Sequence, residues 1–172
     1  LDANGAATIT IETSTLAHGT HDLSVRISDV AGNSDTTATE TIDVDTSADD
    51  DATALSLNVV ADTNVDGYVN STEATTVSST LTGIDSDVVS VTVVYTDSQN
   101  NTQSAVVTQA GSNWNIADVD LVTAGFVDGP VNVTATVIDA AGNTSVKTSN
   151  FTIDVTAPTI TLDEIIDNVN GH

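Results

Sequence analysis

Twelve residues from Asp62 to Glu73 read DTNVDGYVNSTE, with side-chain oxygens at regular intervals. Asp62, Asn64 and Asp66 fall at positions one, three and five of an EF-type loop, and Gly67 at six permits the sharp turn. Tyr68 at seven offers its backbone carbonyl, and Val69 at eight turns an apolar side chain inward. Asn70 at nine acts directly or through water, and Glu73 at twelve offers two oxygens at once. Hard oxygen donors in this order wrap one Ca2+, whereas Mg2+ takes fewer ligands at a shorter radius. The competing reading is a polar connection between strands, rich in turn formers. No helix pattern flanks the loop, which points to a static site and away from a sensor with a moving helix pair.

A second pattern, Asp-x-x-Gly-Asn, occurs at Asp29–Asn33 and again at Asp139–Asn143. Between two strands it makes a tight hairpin, with glycine supplying the positive φ. The aspartate is also a candidate ligand. A third acidic run, Asp43-Val44-Asp45-Thr46-Ser47-Ala48-Asp49-Asp50-Asp51, has the composition of a linker. A fourth, Gly83-Ile84-Asp85-Ser86-Asp87, reads as a loop.

The elements that must hold these acids are strands. Apolar and polar residues alternate in 88–95, 131–137, 23–27 and 55–57, and Val, Thr and Ile are enriched throughout. No long helix pattern is present; 118–125 allows one short helical turn. Gly19–Asn33 (GTHDLSVRISDVAGN) repeats as Gly129–Asn143 (GPVNVTATVIDAAGN) at an offset of 110 residues. After a one-residue gap, Thr41-Ile42-Asp43-Val44 matches Thr152-Ile153-Asp154-Val155. A period of this size suits a seven-stranded antiparallel β-sandwich.

This register divides the chain. Residues 1–48 are the C-terminal part of one repeat, holding its last three strands. Residues 49–157 are a complete repeat, and 158–172 begin a third. Within the complete repeat the strands fall near 54–60, 75–82, 88–96, 102–109, 112–117, 130–138 and 144–155. Trp114, the only tryptophan, is expected between the sheets. The first segment leaves an apolar face uncovered, so it needs a partner from outside this sequence or survives as a twisted hairpin.

Strands of a sandwich alternate in direction, which brings the linker to the loop 83–87 and to the hairpin at Asp139. Asp43, Asp45, Asp49, Asp85 and Asp139 are therefore expected to share one joint and to hold a Ca2+ there. The loop Asp62–Glu73 is expected at the other end of the repeat, near Asp154, which is a further candidate metal ligand.

Composition agrees with a need for cations. The chain has 172 residues, no cysteine, and 25 acidic side chains against Arg26 and Lys147, a formal charge of −23. Such a charge repels nucleic acid and anionic membranes and strains a compact state unless cations neutralise it. A merely soluble or halophilic surface is the alternative. Aromatics make up 3%, so the 39% hydrophobic content rests on small aliphatic side chains, and no disulfide supplies a staple. No apolar run reaches membrane-spanning length, so direct membrane insertion is not expected. The chain starts at Leu1 without a signal peptide, as an excerpt of something longer would.

The stretches Asp139-Ala140-Ala141-Gly142-Asn143-Thr144, Ile153-Asp154-Val155-Thr156-Ala157-Pro158, Gly111-Ser112-Asn113-Trp114 and Asp62–Glu73, in this order, resemble the bacterial Ig-like repeats of giant RTX-type adhesins secreted by type I systems. The resemblance implies an all-β fold of immunoglobulin-like β-sandwich repeats in tandem, outside the cell and on the bacterial surface. It implies a spacer whose partners are neighbouring repeats and calcium ions, and whose junction calcium stiffens a rod that projects a ligand-binding tip. Family members also carry domains split by inserted ligand-binding modules, which accounts for the incomplete first repeat. This chain departs from the pattern in its linker, where Asp45–Asp51 replaces the shorter Thr-Ala-Pro joint.

Two other classes compete. Repeats that themselves bind a glycan, a peptide or ice would make the chain an adhesive module, although Thr36-Thr37-Ala38-Thr39 lacks a sustained array. An interchain assembly would pair the orphan strands between molecules. Catalysis is disfavoured: His18, His21 and His172 meet no ordered acid-base or nucleophile constellation, and His18 and His21 read as flanking a solvated turn.

Overall fold

A computed structural model describes residues 8–163. The fold is all-β, and its strands are β1 (Gly19–Leu23), β2 (Arg26–Ser28), β3 (Ser34–Thr36), β4 (Glu40–Val44), β5 (Ser56–Val60), β6 (Ser78–Thr82), β7 (Val88–Thr96), β8 (Thr102–Ser104), β9 (Val107–Ala110), β10 (Asn113–Ile116), β11 (Gly129–Asp139) and β12 (Thr144–Ile153). Helix among the described residues is limited to two 3-10 turns, Thr13–Thr15 and Glu73–Thr75. Among the described residues no helix is long and apolar enough to cross a membrane. The segment 121–125 forms a turn, with one bond of helical spacing from Ala124 N–H to Asp120 C=O.

The largest sheet has the order β12-β11-β7-β8, and β5 pairs with β6 and β9 with β10. Alternation makes one face of this sheet apolar: Val91, Val93 and Tyr95 on β7 and Val131, Val133, Ala135 and Val137 on β11 are buried. The strand expected over 102–109 divides at Ala105-Val106. Thr102–Ser104 pairs with β7, while Val107–Ala110 pairs with β10, so this stretch changes partners midway.

Trp114 is not in the core; it lies half-buried on β10. The sheet that carries it, β9 with β10, is two strands wide. Tyr95 and Phe126 are the buried aromatics instead.

Residues 8–48 form a bent hairpin in two pieces. β1 pairs with β4 from Gly19↔Val44 to Leu23↔Glu40, and β2 pairs with β3. Most residues here are exposed, Ile27 and Val30 among them, and Ala48 is the buried one. Residues 8–12 contain no strand, so the hairpin is what the described part of the first repeat contains. Residues 158–163 form no strand, and the rest of the expected third repeat, with His172, lies outside the described residues.

The chain condenses into two compact units. One draws on the chain up to Ser56 and on Leu81–Thr92 and Ala135–Lys147; the other on Leu57–Thr80, Val93–Thr134 and the chain from Thr148. The linker after residue 48 is hydrogen-bonded to Leu55 and Asp85 within the first unit. Gly83 (φ +68°) is part of that attachment: a Cβ here would collide with the Ala54 and Thr53 carbonyl oxygens.

Candidate cation site

The register of β1 and β4 ends at Gly19↔Val44 and leaves His18 and Asp45 facing each other just beyond it. His18 Nδ1 lies 3.6 Å from Asp45 Oδ1, and His18 Nε2 lies 3.2 Å from Asp50 Oδ2. The chain then turns, with Ser47 N–H donating to Asp45 Oδ1 at 3.2 Å, and buries Ala48.

Asp49 is committed elsewhere. Its Oδ1 accepts the Leu55 N–H at 2.7 Å, and its Oδ2 pairs with Lys147 Nζ at 3.2 Å. The Leu55 N–H and then the Lys147 ammonium hold its carboxyl below the usual range, against the effect of burial. Asp49 therefore anchors the linker, although its type and position marked it as a joint ligand. The other basic side chain, Arg26, donates to Ser34 Oγ at 2.9 Å.

The next two residues are attached to the loop 83–87. Asp50 N–H and Asp51 N–H donate to Asp85 Oδ2 at 2.8 and 3.3 Å. Asp87 C=O accepts the Ala140 N–H at 3.0 Å, which brings the Asp139–Asn143 hairpin to the same loop. Asp139 is 2% exposed and is clasped by Asn143, whose N–H and side-chain amide each reach it at 2.8 Å. Burial pushes the Asp139 carboxyl up, but the Asn143 amide and the turn N–H groups outweigh it and hold the carboxyl low.

The result is a cavity of about 490 Å³ lined by His18, Asp43, Asp45, Asp50, Asp51 and the loop 84–87. Carboxylate oxygens of Asp45, Asp87 and Asp139 lie within 4.8 Å of one another. Asp85 is only 6% exposed, and its Oδ1 has no hydrogen-bond partner. A buried charged oxygen without a donor is destabilising by at least about 1–3 kcal/mol. Asp50 senses the crowding: burial first, then the neighbouring Asp85 and Asp45 carboxylates, raise its carboxyl above the usual range despite His18. A hard cation meets each of these needs at once, since it supplies charge and accepts several carboxylates. Of the five acids expected at the joint, Asp43, Asp45, Asp85 and Asp139 are here. Asp87, Asp50 and His18 join them, and the sequence signals for these were the alternation Asp85-Ser86-Asp87 and the strand register that puts His18 opposite Asp45.

The loop Asp62–Glu73 folds as its spacing dictates and uses its oxygens differently. Gly67 turns at φ +95°, Val69 is fully buried, and Val69 bridges to Ile153. Asp154 N–H donates to Val69 C=O at 2.9 Å, so Asp154 adjoins the loop, with its side chain exposed. Asp62 accepts the N–H groups of Val65 at 2.6 Å and Gly67 at 2.8 Å. Asn64 accepts from Asp66 N–H, Asp66 from Tyr68 N–H, and Asn70 from Thr72 and Glu73 N–H. Glu73 accepts Thr63 N–H, the Thr63 hydroxyl and Asn64 N–H on one oxygen and Asn70 N–H on the other. The Asn70 N–H, then the Thr63 hydroxyl, hold the Glu73 carboxyl below its usual range. Asp62, Asp66 and Glu73 do not converge into a group of three metal-capable side chains.

The sequence profile of a bacterial Ig-like domain matches residues 1–46 and 50–155. No curated protein shows a significant match. One similar solved structure is described as a Ca2+-stabilized adhesin that helps an Antarctic bacterium reach out and bind ice. It is 32% identical, with a TM-score of 0.51, over 91% of this chain and 37% of that one. Another, a tetra-tandem repeat in the extending region of a large adhesion protein, is 29% identical, with a TM-score of 0.44, over 86% of this chain and 34% of that one. This chain thus spans little more than a third of either.

Proposed function

The chain belongs to the bacterial Ig-like domain family, and on that premise we propose that it is a calcium-rigidified extender of a bacterial surface adhesin of the type I-secreted, RTX class. It acts outside the cell and without catalysis, and it projects a ligand-binding tip. Its partners are the neighbouring repeats of its own chain. The two family matches, separated by residues 47–49, support the reading of 1–48 and 49–157 as successive repeats.

The observation that carries the proposal is the acidic cavity around the linker, where Asp45, Asp87 and Asp139 converge and Asp85 keeps a buried oxygen without a donor. These residues, with Asp43, would hold the ion. Bound there, Ca2+ supplies the positive charge that the two basic side chains do not. The chain's own residues do the rest. Asp49 fixes the linker to Leu55 and Lys147, Asn143 aims Asp139, and the loop 83–87 presents Asp85 and Asp87. The linker then behaves as part of a folded unit, and tandem copies become a stiff string. The loop Asp62–Glu73, beside Asp154, is proposed as a second seat, formed when Glu73 exchanges its N–H donors for the ion.

Calcium titration of the EDTA-stripped chain tests this, read by calorimetry and by small-angle scattering. Ca2+ uptake with a higher Tm and a narrower range of end-to-end distances is expected. At a free concentration a hundred times Kd, one site adds about 2.7 kcal/mol. No heat and no change in Tm at millimolar Ca2+ would sink the proposal.

A further inference from the structure

The offset that aligns Gly19 with Gly129 also aligns His18 with Asp128. In the second copy Asp128 closes its end of the hairpin by accepting Val155 N–H at 2.7 Å. In the first copy an imidazole stands there instead. Its Nδ1 accepts Thr46 N–H at a long 3.3 Å, and Asp45 Oδ1 lies 3.6 Å away. Its Nε2 is 3.2 Å from Asp50 Oδ2. Ligand atoms of His18, Asp45 and Asp50 all lie within 4.8 Å of one another. The three line the same cavity as Asp85, which is 6% exposed and whose Oδ1 has no partner. The other oxygen of Asp85 holds Asp50 N–H at 2.8 Å, so the orphaned oxygen belongs to a carboxylate fixed beside Asp50.

We propose that His18, Asp45 and Asp50 form a second cation seat in this cavity, selective for a borderline divalent ion of the Zn2+ type. The inference rests on the reading of the cavity as a cation site and adds a different ion to it. Ca2+ is served by oxygen ligands alone, whereas an imidazole nitrogen with carboxylates suits Zn2+, Co2+ or Ni2+. The ion would take the Nε2 lone pair and leave the ring proton on Nδ1, which then gives up the long Thr46 N–H contact and donates to Asp45 Oδ1. A carboxylate on the far nitrogen fixes the ring and raises its basicity as a ligand. Asp45 belongs to both groups of the cavity, so the transition-metal seat and the calcium seat share one carboxylate.

The experiment is a Zn2+ titration of the full chain in saturating Ca2+, by calorimetry, for the wild type, His18→Ala and His21→Ala. His21 serves as the control because its Nε2 is held by Ala17 C=O at 2.8 Å, away from the cluster. One Zn2+ per chain is expected. His18→Ala should weaken it at least about tenfold, the low end of what loss of even an outer partner does. His21→Ala should not. Co2+ in place of Zn2+ should give a visible absorption band that His18→Ala removes. No Zn2+ uptake by the wild type, or equal uptake by His18→Ala, overturns the inference. Ca2+ uptake without Zn2+ uptake sinks this seat and leaves the calcium reading standing; Zn2+ uptake without Ca2+ uptake does the reverse.

Discussion

The loop Asp62–Glu73 and the cavity around Asp85 are equally acidic to the eye, and they differ in how completely their carboxylates are supplied with donors. In the loop, the carboxylates of Asp62, Asp66 and Glu73 each accept main-chain N–H groups. In the cavity, carboxylates from the linker, the loop 83–87 and the β11–β12 hairpin face one another, and Asp85 Oδ1 meets no donor. The difference is one of competition. A tight loop exposes its own N–H groups to its own acids, so an ion must displace them. Acids delivered by separate elements also hold donors, Ser47 N–H on Asp45, two linker N–H groups on Asp85 and Asn143 on Asp139, but they leave Asp85 Oδ1 with none, so an ion has no rival at that oxygen. Close spacing in sequence therefore shapes a loop, while convergence across elements creates a demand for charge.

The largest test of this contrast uses a third acid. Asp97 is 5% exposed and accepts Gln99 and Asn101 N–H, the Asn101 side-chain amide and Val127 N–H. It is a buried carboxylate fully supplied with donors. Asp97→Ala should destabilise the fold by about 2–3 kcal/mol in urea melts, equally with and without calcium. A calcium-dependent loss would break the distinction between clasped and unclasped acids. Acid should dissolve the same clasp. Burial pushes the Asp97 carboxyl up, but the Asn101 amide and the three N–H groups hold it below its usual range. Its folded pKa is depressed, so its contribution is present above the ordinary carboxylate range and is lost as pH falls through the lowered value.

A smaller effect with a reversal of sign is expected at Asp85. Asp85→Asn removes the unpaired charge, so the EDTA-treated variant should be more stable than wild type by roughly 1–2 kcal/mol. In saturating Ca2+ the order should invert, because the variant loses its calcium increment. Thermal melts in both conditions check this, and a variant less stable in EDTA would count against crowding at the cavity. The smallest change belongs to the loop. Asp66→Ala loses the bond to Tyr68 N–H, about 1 kcal/mol, and calcium stoichiometry should drop by one. Unchanged stoichiometry would remove Asp62–Glu73 as a calcium seat and sharpen the contrast to its limit.

The same lesson appears in the hairpins. Asp29 and Asp139 make one clasp, each holding the N–H and side-chain amide of the asparagine four residues on. The motif Asp-x-x-Gly-Asn made both visible in sequence. Asp97–Asn101 makes the same clasp and was invisible, because Asn100 takes the place of glycine at φ +65°. Asparagine is among the few other residues that adopt this conformation, so the motif was narrower than the physics. Burial was not legible either: Asp29 is exposed and Asp139 is not, though their local sequences agree.

By itself the sequence determined the strand content, the internal repeat, the turn at Gly67 and the acidic loops, because alternation, glycine placement and charge are local properties of the chain. Tertiary structure decided which acids meet. It committed Asp49 to Leu55 and Lys147, gave Asp87 and His18 a place beside Asp45, split the strand at Ala105-Val106 and left Trp114 half-buried. These outcomes depend on which donors and apolar surfaces arrive from distant segments, and no local pattern records that.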